Sequence, residues 1–432
     1  MPNSGLDNGG SLDFSQERYN MNSMERPKLR NVSAFPVQVS GRQMIYIQDP
    51  LRLSDKQVIV PVDAFFIMSF FDGNHSILDI QEQYTRRYGT ILFSDRVRKI
   101  IQELDSYFLL ESERFEQHKR LLSEEFGVSS VRAAFHAGEA YESEPSGLKD
   151  RLAAFFASPE GPGELNRDAV PSGDIKGIVA PHIDLVRGGS CYAWAYKEIG
   201  ERCDADLFVI LGTSHSESKN AFILTTKDFQ TPLGIMPTDK DFVGSLATKY
   251  PADLFEDELI HRFEHSIEFQ VVFLQYVLRG KRNVKIVPVL CSSFSEMIEK
   301  NIVPSEFPAV GDFISLLKET AARKDRSVCF VAGADLSHVG RRFGDQIELS
   351  SGLLELIKSR DMEMLKYVEQ LNATGFFRSI QEDGDDRNIC GLPPIYVLLS
   401  VIEASQGKIL KYSQAAERNT ESVVSFASLS FS

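Results

Sequence analysis

LFVILGTSH, residues 207–215, is an unbroken apolar run followed by a glycine, two hydroxyl residues and a histidine. A short apolar run bounded by turn residues is typical of a strand that is buried on both faces of an α/β sheet. The same pattern recurs in GIVAPHIDL, residues 177–185, and in SVCFVAGADLSH, residues 327–338. Because ligands of α/β sheets gather beyond the carboxyl ends of the strands, the polar residues after these three runs are candidates for one site.

The candidate residues lie directly after the predicted strands. His182 follows the first strand, His215 follows the second, and Asp335 and His338 follow the third. A carboxylate three residues before a histidine is suited to orienting the imidazole or to transferring a proton. The structural alternatives are a histidine that only satisfies local hydrogen bonds and a loop salt bridge between Asp335 and a neighbouring arginine.

Cys390 lies in DDRNICGLPP, residues 385–394, at the predicted start of a helix. The N–H groups and dipole of a helix terminus favour the thiolate, which is the form that binds metals or attacks electrophiles. The alternative is a packed thiol. The chain has five cysteines without paired spacing, so we expect reduced thiols.

The pattern along the chain predicts two domains. Residues 1–30 are polar and predict a tail, and residues 31–125 predict two short strands and three helices in a small winged-helix-like α+β domain. From about Ile175 strands and helices alternate, and AFILTTKDFQTPLG is hairpin-like. Residues 126–432 therefore predict a three-layer α/β domain with a mixed sheet, ending in two paired edge strands.

Composition narrows the possible partners. The net charge of −14 and the pI of about 5.2 argue against a nucleic-acid partner, because phosphate neutralisation requires a basic face. The longest apolar stretch, residues 64–71, is far shorter than a membrane helix, and no signal peptide opens the chain. We expect a cytoplasmic protein with no membrane partner.

HRFEHSIE, residues 261–268, contains the HxxEH string of inverted zinc metallopeptidases. In such a site His261 and His265 bind zinc from one helical face while Glu264 activates water. The pattern predicts a helix that begins near Glu264, which places His261 before the helix starts. This order disfavours the peptidase interpretation.

Eight motifs occur in a fixed order: APHIDL, GGSCYAWAY, FVILGTSHS, TPLG, EHSIEFQ, KIVPVL, GADLSH and NICGLPPI. In this order they resemble the Memo family, also called protein B of the AmmeMemoRadiSam system. The preceding segment RAAFHAGEAYESEPSGLKDRLAAFF resembles the amino-terminal arm of the same family, so the resemblance covers residues 131–432. Separately, FFDGNHSILDIQEQY, residues 70–84, resembles PqqD-like peptide-chaperone domains.

The Memo resemblance implies a fold similar to that of the class III extradiol dioxygenases, which bind non-haem Fe(II). By motif position it implies metal ligands at His182, His215 and Cys390. The residues that it implies beside the metal, in catalytic roles, are Asp335, His338 and His265. A cysteine in place of a carboxylate gives a softer ligand set, so Fe(II) is expected first and copper second.

One departure concerns the first motif. Family members commonly have a small residue and a glycine after the first histidine, whereas this chain has Ile183 and Asp184. These larger residues alter the mouth of the cleft, so the substrate does not follow from the resemblance.

Two functional hypotheses of different classes follow. The first is a metal-dependent oxidoreductase of dioxygenase type that acts on a small-molecule or peptide substrate. The alternative is a non-catalytic adaptor that binds a peptide or an anionic side chain in the same cleft. A third view joins them: within an AmmeMemoRadiSam system, with radical-SAM and AMMECR-like partner proteins, the front domain presents a peptide to the rear domain.

Overall fold

The computed structural model describes residues 25–49, 51–54, 56–278, 283–322 and 326–432. The chain divides into two compact units, with the boundary between Glu125 and Phe126. In the described ranges no helix is long and apolar enough to cross a membrane.

The first unit is a three-stranded antiparallel sheet, in the order β1-β2-β3, with helices that pack around one apolar core. Its strands are β1 (Ser33–Val39), β2 (Arg42–Gln48) and β3 (Gln57–Pro61). Its helices are α1 (Val62–Met68), α2 (Ile77–Tyr88) and α3 (Ser94–Ser106), followed by α4 (Glu113–Val128), which extends across the boundary. The two predicted strands and three predicted helices are present. The prediction missed β1, and it placed helical sequence only from about Leu121, whereas α4 begins at Glu113.

The predicted tail, residues 1–30, differs from the structure at its end. Residues 1–24 lie outside the described residues. The Leu29 backbone N–H donates to the Phe71 carbonyl at 2.7 Å, and Arg30 forms a buried ion pair with Asp49 at 2.9 Å. Leu29 and Arg30 therefore belong to the packed structure of the first unit rather than to a tail.

The second unit is built on a mixed eight-stranded sheet in the order β12-β14-β5-β11-β6-β10-β7, with β13 paired to β14. A small sheet, β4-β8-β9, accompanies it. The strands are β4 (Val131–Arg132), β5 (Gly177–Ala180), β6 (Leu207–Thr213), β7 (Phe222–Leu224), β8 (Asp228–Thr231), β9 (Gly234–Met236), β10 (Lys285–Cys291), β11 (Val328–Gly333), β12 (Asp335–Gly340), β13 (Gly407–Glu417) and β14 (Ser422–Phe431). The helices are α5 (Pro145–Ala157), α6 (Leu185–Arg202), α7 (Lys240–Lys249), α8 (His265–Leu278), α9 (Ser295–Glu299), α10 (Pro308–Ala321), α11 (Ser351–Glu369), α12 (Ala373–Gln381) and α13 (Leu392–Val401).

Helices cover both faces of the large sheet. Alternate side chains of a strand point to opposite faces, and β6 shows this directly. Leu207, Val209 and Leu211 join one apolar core, whereas Phe208 and Ile210 join the other. The mixed α/β architecture predicted from the apolar runs is therefore confirmed.

Three details of the prediction were wrong. The hairpin-like stretch does not pair with itself, because β7 joins β10 in the large sheet while β8 pairs with β9. The segment after β11 is a further strand, β12, instead of a loop. The strand β14 is buried along its whole length between β13 on one side and β12 and β5 on the other, so of the two predicted edge strands only β13 lies at an edge.

The order of the central strands positions the site. β5, β11 and β6 are parallel neighbours, with β11 in the middle. Their carboxyl ends therefore meet at one edge of the sheet. Each of His182, Asp335 and His215 comes shortly after one of these strand ends.

Candidate metal centre

Three histidines converge beyond the ends of these strands. One nitrogen atom from each of His182, His215 and His265 lies within 4.8 Å of the others. The ring centroids are 5.0 Å apart for His182 and His215, and 4.9 Å apart for His215 and His265. The structure thus brings together two predicted metal ligands and one residue predicted in a catalytic role.

Each of the three rings has an oxygen acceptor close to its Nδ1. His182 Nδ1 donates to the Gly333 carbonyl at 2.9 Å, and His215 Nδ1 donates to Glu264 Oε2 at 3.0 Å. His265 Nδ1 lies 3.2 Å from Glu264 Oε1. Because every Nδ1 faces an oxygen acceptor, Nε2 is the nitrogen of each ring that is left to bind a cation. Oxygen acceptors at the nitrogen that does not bind the metal are typical of metal-binding histidines. The three imidazoles therefore fit a transition metal.

Glu264 is the buried residue that organises this group. Its carboxylate accepts from the backbone N–H groups of His215 at 3.0 Å, His265 at 2.8 Å and Ser266 at 3.0 Å. Although burial acts to raise it, the neighbouring His215 and His265 hold the pKa of Glu264 well below its usual value. The same ion pair raises the pKa of His215, against the opposing effect of burial. The sequence reasoning considered Glu264 only as a peptidase base and missed this role.

Cys390 lies beside one member of this group. Its Sγ lies 3.3 Å from His182 Nε2. Burial, followed by the charge of Asp335, raises the pKa of the Cys390 thiol well above its ordinary value. Burial and the nearby His215 lower the pKa of His182 to about 3. The two groups therefore form a neutral pair in which the thiol donates to Nε2.

The expectation that a helix terminus makes Cys390 a thiolate was wrong for the chain alone. The helix α13 begins at Leu392 with Gly391 as its N-cap, so Cys390 lies before the first turn. A bound cation is what would convert the thiol to a thiolate ligand.

Asp335 and His338 occupy the wall of the cleft. Asp335 Oδ1 accepts from the His182 N–H at 2.9 Å, and burial raises the pKa of Asp335 to about 6. His338 Nδ1 donates to the Leu336 carbonyl at 3.0 Å, and burial lowers the pKa of His338 to about 4. The loop salt bridge weighed as an alternative is absent among the described residues, because the nearby Arg341 pairs with Glu421. Of the two groups, Asp335 has the pKa closer to neutral and is the better suited to exchanging a proton there, whereas His338 is a neutral imidazole at that pH.

An arm before the large sheet fixes the helix that carries Glu264 and His265. Arg132 is fully buried and forms an ion pair with Glu268, which also accepts from the Tyr141 hydroxyl. Arg132 additionally donates from Nη2 to the Glu264 carbonyl at 3.0 Å. These contacts of Arg132 and Tyr141 with Glu268 and the Glu264 carbonyl, referred to as the arm clamp, fix the start of α8.

The HxxEH string does not form a zinc peptidase site. His261 lies in a 3-10 helix, Glu258–Arg262, that ends before α8 begins at His265. Its Nε2 donates to the Ile223 carbonyl at 3.1 Å. Within the described ranges His261 is not part of the metal-binding group, so the peptidase alternative is wrong.

A cleft of about 290 Å³ opens in front of the histidines. His182, His265, Asp335 and His338 all line it, together with His136, which the sequence reasoning also missed. His136 Nε2 donates to the Phe263 carbonyl at 2.8 Å, and its ring lies 5.8 Å from that of His265. A small ligand in this cleft would contact two of the candidate metal ligands, His182 and His265, and the candidate proton-transfer groups Asp335 and His338.

Comparisons with known proteins agree with the sequence motifs. A family model described as "Memo-like protein" matches residues 132–430. A MEMO1 family protein of Aquifex aeolicus is 28% identical over 409 residues, which cover 94% of this chain and 100% of the relative. MEMO1 family proteins of Methanosarcina barkeri and Pyrococcus furiosus are 26% and 28% identical over 298 and 310 residues. These two alignments cover 68% and 69% of this chain but 97% and 98% of the relatives.

Proposed function

This chain belongs to the Memo-like family, and on that basis we propose that it binds a transition metal and acts as a metal-dependent oxidoreductase of dioxygenase type. The observation that carries the proposal is the convergence of His182, His215 and His265 within 4.8 Å, with the Cys390 sulfur beside His182.

The donor chemistry supports iron or copper. Three neutral imidazoles and one sulfur suit Fe(II), which we expect first, and copper, which we expect second. Such an ion would supply redox chemistry with O₂ at the base of the cleft. His182, His215 and His265 would hold it, and Cys390 would add a fourth donor. Asp335 and His338 would accept or return a proton at the side of the cleft.

Metal analysis tests this proposal. The full chain, a His182→Ala, His215→Ala double variant and a His75→Ala control are loaded with Fe(II) under anaerobic conditions. His75 pairs with Asp72 in the first unit and is no part of the metal-binding group. We expect the parent and the control to retain metal and the double variant to lose it. Equal metal content in all three proteins would end the proposal.

The adaptor alternative is decided by a separate measurement. In the adaptor case, peptide binding survives Cys390→Ser and His215→Ala, and no phenol supports O₂ uptake. The proposed oxidoreductase instead consumes O₂ with its substrate and loses this activity in both variants. Oxygen consumption and peptide binding are measured on the same preparations.

The finer assignments form part of the same proposal. We propose that the second unit is an extradiol-dioxygenase-like three-layer sandwich and that the first unit is a PqqD-like, winged-helix-like domain. The two-sided helix packing supports the former, and the three-stranded sheet with its helices supports the latter. We further propose that the protein is cytoplasmic and acts in an AmmeMemoRadiSam system with radical-SAM and AMMECR-like partners. Affinity capture with the tagged full chain tests the partners, and no enrichment of either protein would count against them.

A further inference from the structure

Two arginine side chains line the cleft in front of the candidate metal centre. Arg187 lies in the first turn of α6, and Arg342 lies in the short 3-10 helix Arg341–Phe343. Both also line a neighbouring cleft of about 300 Å³, so their guanidinium groups border the same open space. Two cations thus line the cleft, together with the carboxylates of Asp184 and Asp335, and Glu417 lines the neighbouring cleft.

Both arginines keep hydrogen-bond donors available. Arg187 donates from Nε to Asp184 at 2.5 Å, and Asp184 also caps α6. Arg342 Nη1 lies 3.9 Å from Glu417, which is longer than a hydrogen bond. Because a guanidinium carries five N–H donors, each arginine can bind an anion without losing these partners.

The rest of the cleft is suited to a flat apolar body. Phe269 and Phe343 line it, and their rings pack against the candidate site residues. The Phe269 ring centroid lies 5.3 Å from that of His265, and the Phe343 centroid lies 5.1 Å from that of His338. The volume of about 290 Å³ is near the lower end for small-molecule sites.

We propose that this cleft binds a small aromatic carboxylic acid. Arg187 and Arg342 hold the carboxylate, and Phe269 and Phe343 contact the ring. The assignment of this acid as the substrate class rests on the proposed function. The binding itself depends on side chains that are present without any metal.

Calorimetry with the metal-free full-length protein and benzoate as the probe tests the proposal. We expect an Arg187→Gln, Arg342→Gln double variant to bind benzoate at least about tenfold more weakly, because it loses charged hydrogen bonds. Arg341→Gln is the matched control, since Arg341 pairs with Glu421 and does not line the cleft. Benzamide, which has the same shape without the charge, should bind more weakly and respond little to the double variant.

Unchanged benzoate affinity in the double variant would overturn the proposal. A Gly-Gly-Phe peptide with a free or an amidated carboxyl end identifies the source of the carboxylate. If the free-ended peptide binds in an arginine-dependent way and benzoate does not, the ligand is a peptide carboxyl terminus. That result overturns the assignment to a small aromatic acid. Metal content is measured in parallel. Arginine-dependent benzoate binding in a protein that never retains metal would support the acid site while removing the oxidoreductase proposal.

Discussion

Glu264 shows how one buried carboxylate can set the properties of two histidines. We predict that Glu264→Gln weakens metal binding about 10- to 100-fold, the range typical for loss of a residue that supports metal ligands. The variant keeps the size of the side chain but removes the charge that raises the pKa of His215. A competition titration against a coloured chelator measures the affinity.

The control for this prediction is Glu256→Gln, because Glu256 is exposed and pairs with Lys219 away from the histidines. Equal affinities of the two variants would show that Glu264 does not support the metal ligands. A second readout is the titration of His215 by NMR, in which its pKa should fall in Glu264→Gln and stay unchanged in Glu256→Gln.

The raised pKa of the Cys390 thiol has a consequence for the pH dependence of metal binding. Below its pKa the thiol must release a proton to become a ligand. For each pH unit, the metal affinity of the parent should therefore rise by about tenfold more than that of a chain without the thiol. His182, with a pKa of about 3, is already neutral and adds nothing to this slope. We predict a shallower slope for Cys390→Ser than for the parent between about pH 6 and 8. Identical slopes would indicate that the sulfur does not bind the metal.

The site residues differ in how well local sequence reveals them. His182 and His215 follow uninterrupted apolar strands, so their place at the sheet edge is predictable from the chain. His265 and Glu264 reach the group from the start of α8, and their proximity to β5 and β6 depends on how that helix packs. Periodicity carries no information on such packing, and the motif resemblance alone pointed to His265.

At the level of elements, the arm clamp stabilises the start of α8. We predict that Arg132→Met destabilises the second unit by about 3–5 kcal/mol, because it leaves the buried Glu268 charge without its partner. Trp194 is the chain's one tryptophan and lies in this unit, so its fluorescence follows urea unfolding of the unit.

The test of the clamp is the companion variant. Arg132→Met combined with Glu268→Leu removes both charges, and it should recover much of the lost stability. A double variant that is no more stable than Arg132→Met would show that packing, rather than the unpaired charge, causes the loss.

Strands were predictable where burial is uniform and difficult where it is not. The central strands are apolar on both faces, so their sequences are unambiguous. The strand β12 contains Asp335 and Ser337, and Ser337 is buried against Asp361. The partners that satisfy these buried polar groups, Asp361 of α11 and the His182 N–H, are distant in sequence, so no local pattern indicates them.

At the scale of the whole molecule, the α/β class was visible in the alternation of elements. The number of strands in the large sheet was not, because β12 is a polar strand and β7 pairs with β10 instead of forming a hairpin. Two of the relatives match 68% and 69% of this chain over 97% and 98% of their own length, whereas the Aquifex aeolicus relative matches 94% of it. The second unit therefore corresponds in length to these two shorter relatives.

This correspondence leads to a prediction about fragments. A fragment of residues 126–432 should bind metal as the full chain does, because all the described ligand candidates and the arm clamp lie within it. A fragment of residues 145–432 lacks Arg132 and Tyr141, which leaves Glu268 buried without either partner. We expect this shorter fragment to unfold at a lower urea concentration and to lose metal affinity. Metal content and Trp194 fluorescence are measured on both fragments. Loss of metal from residues 126–432 would contradict the prediction, because it would mean that metal binding also requires the first unit.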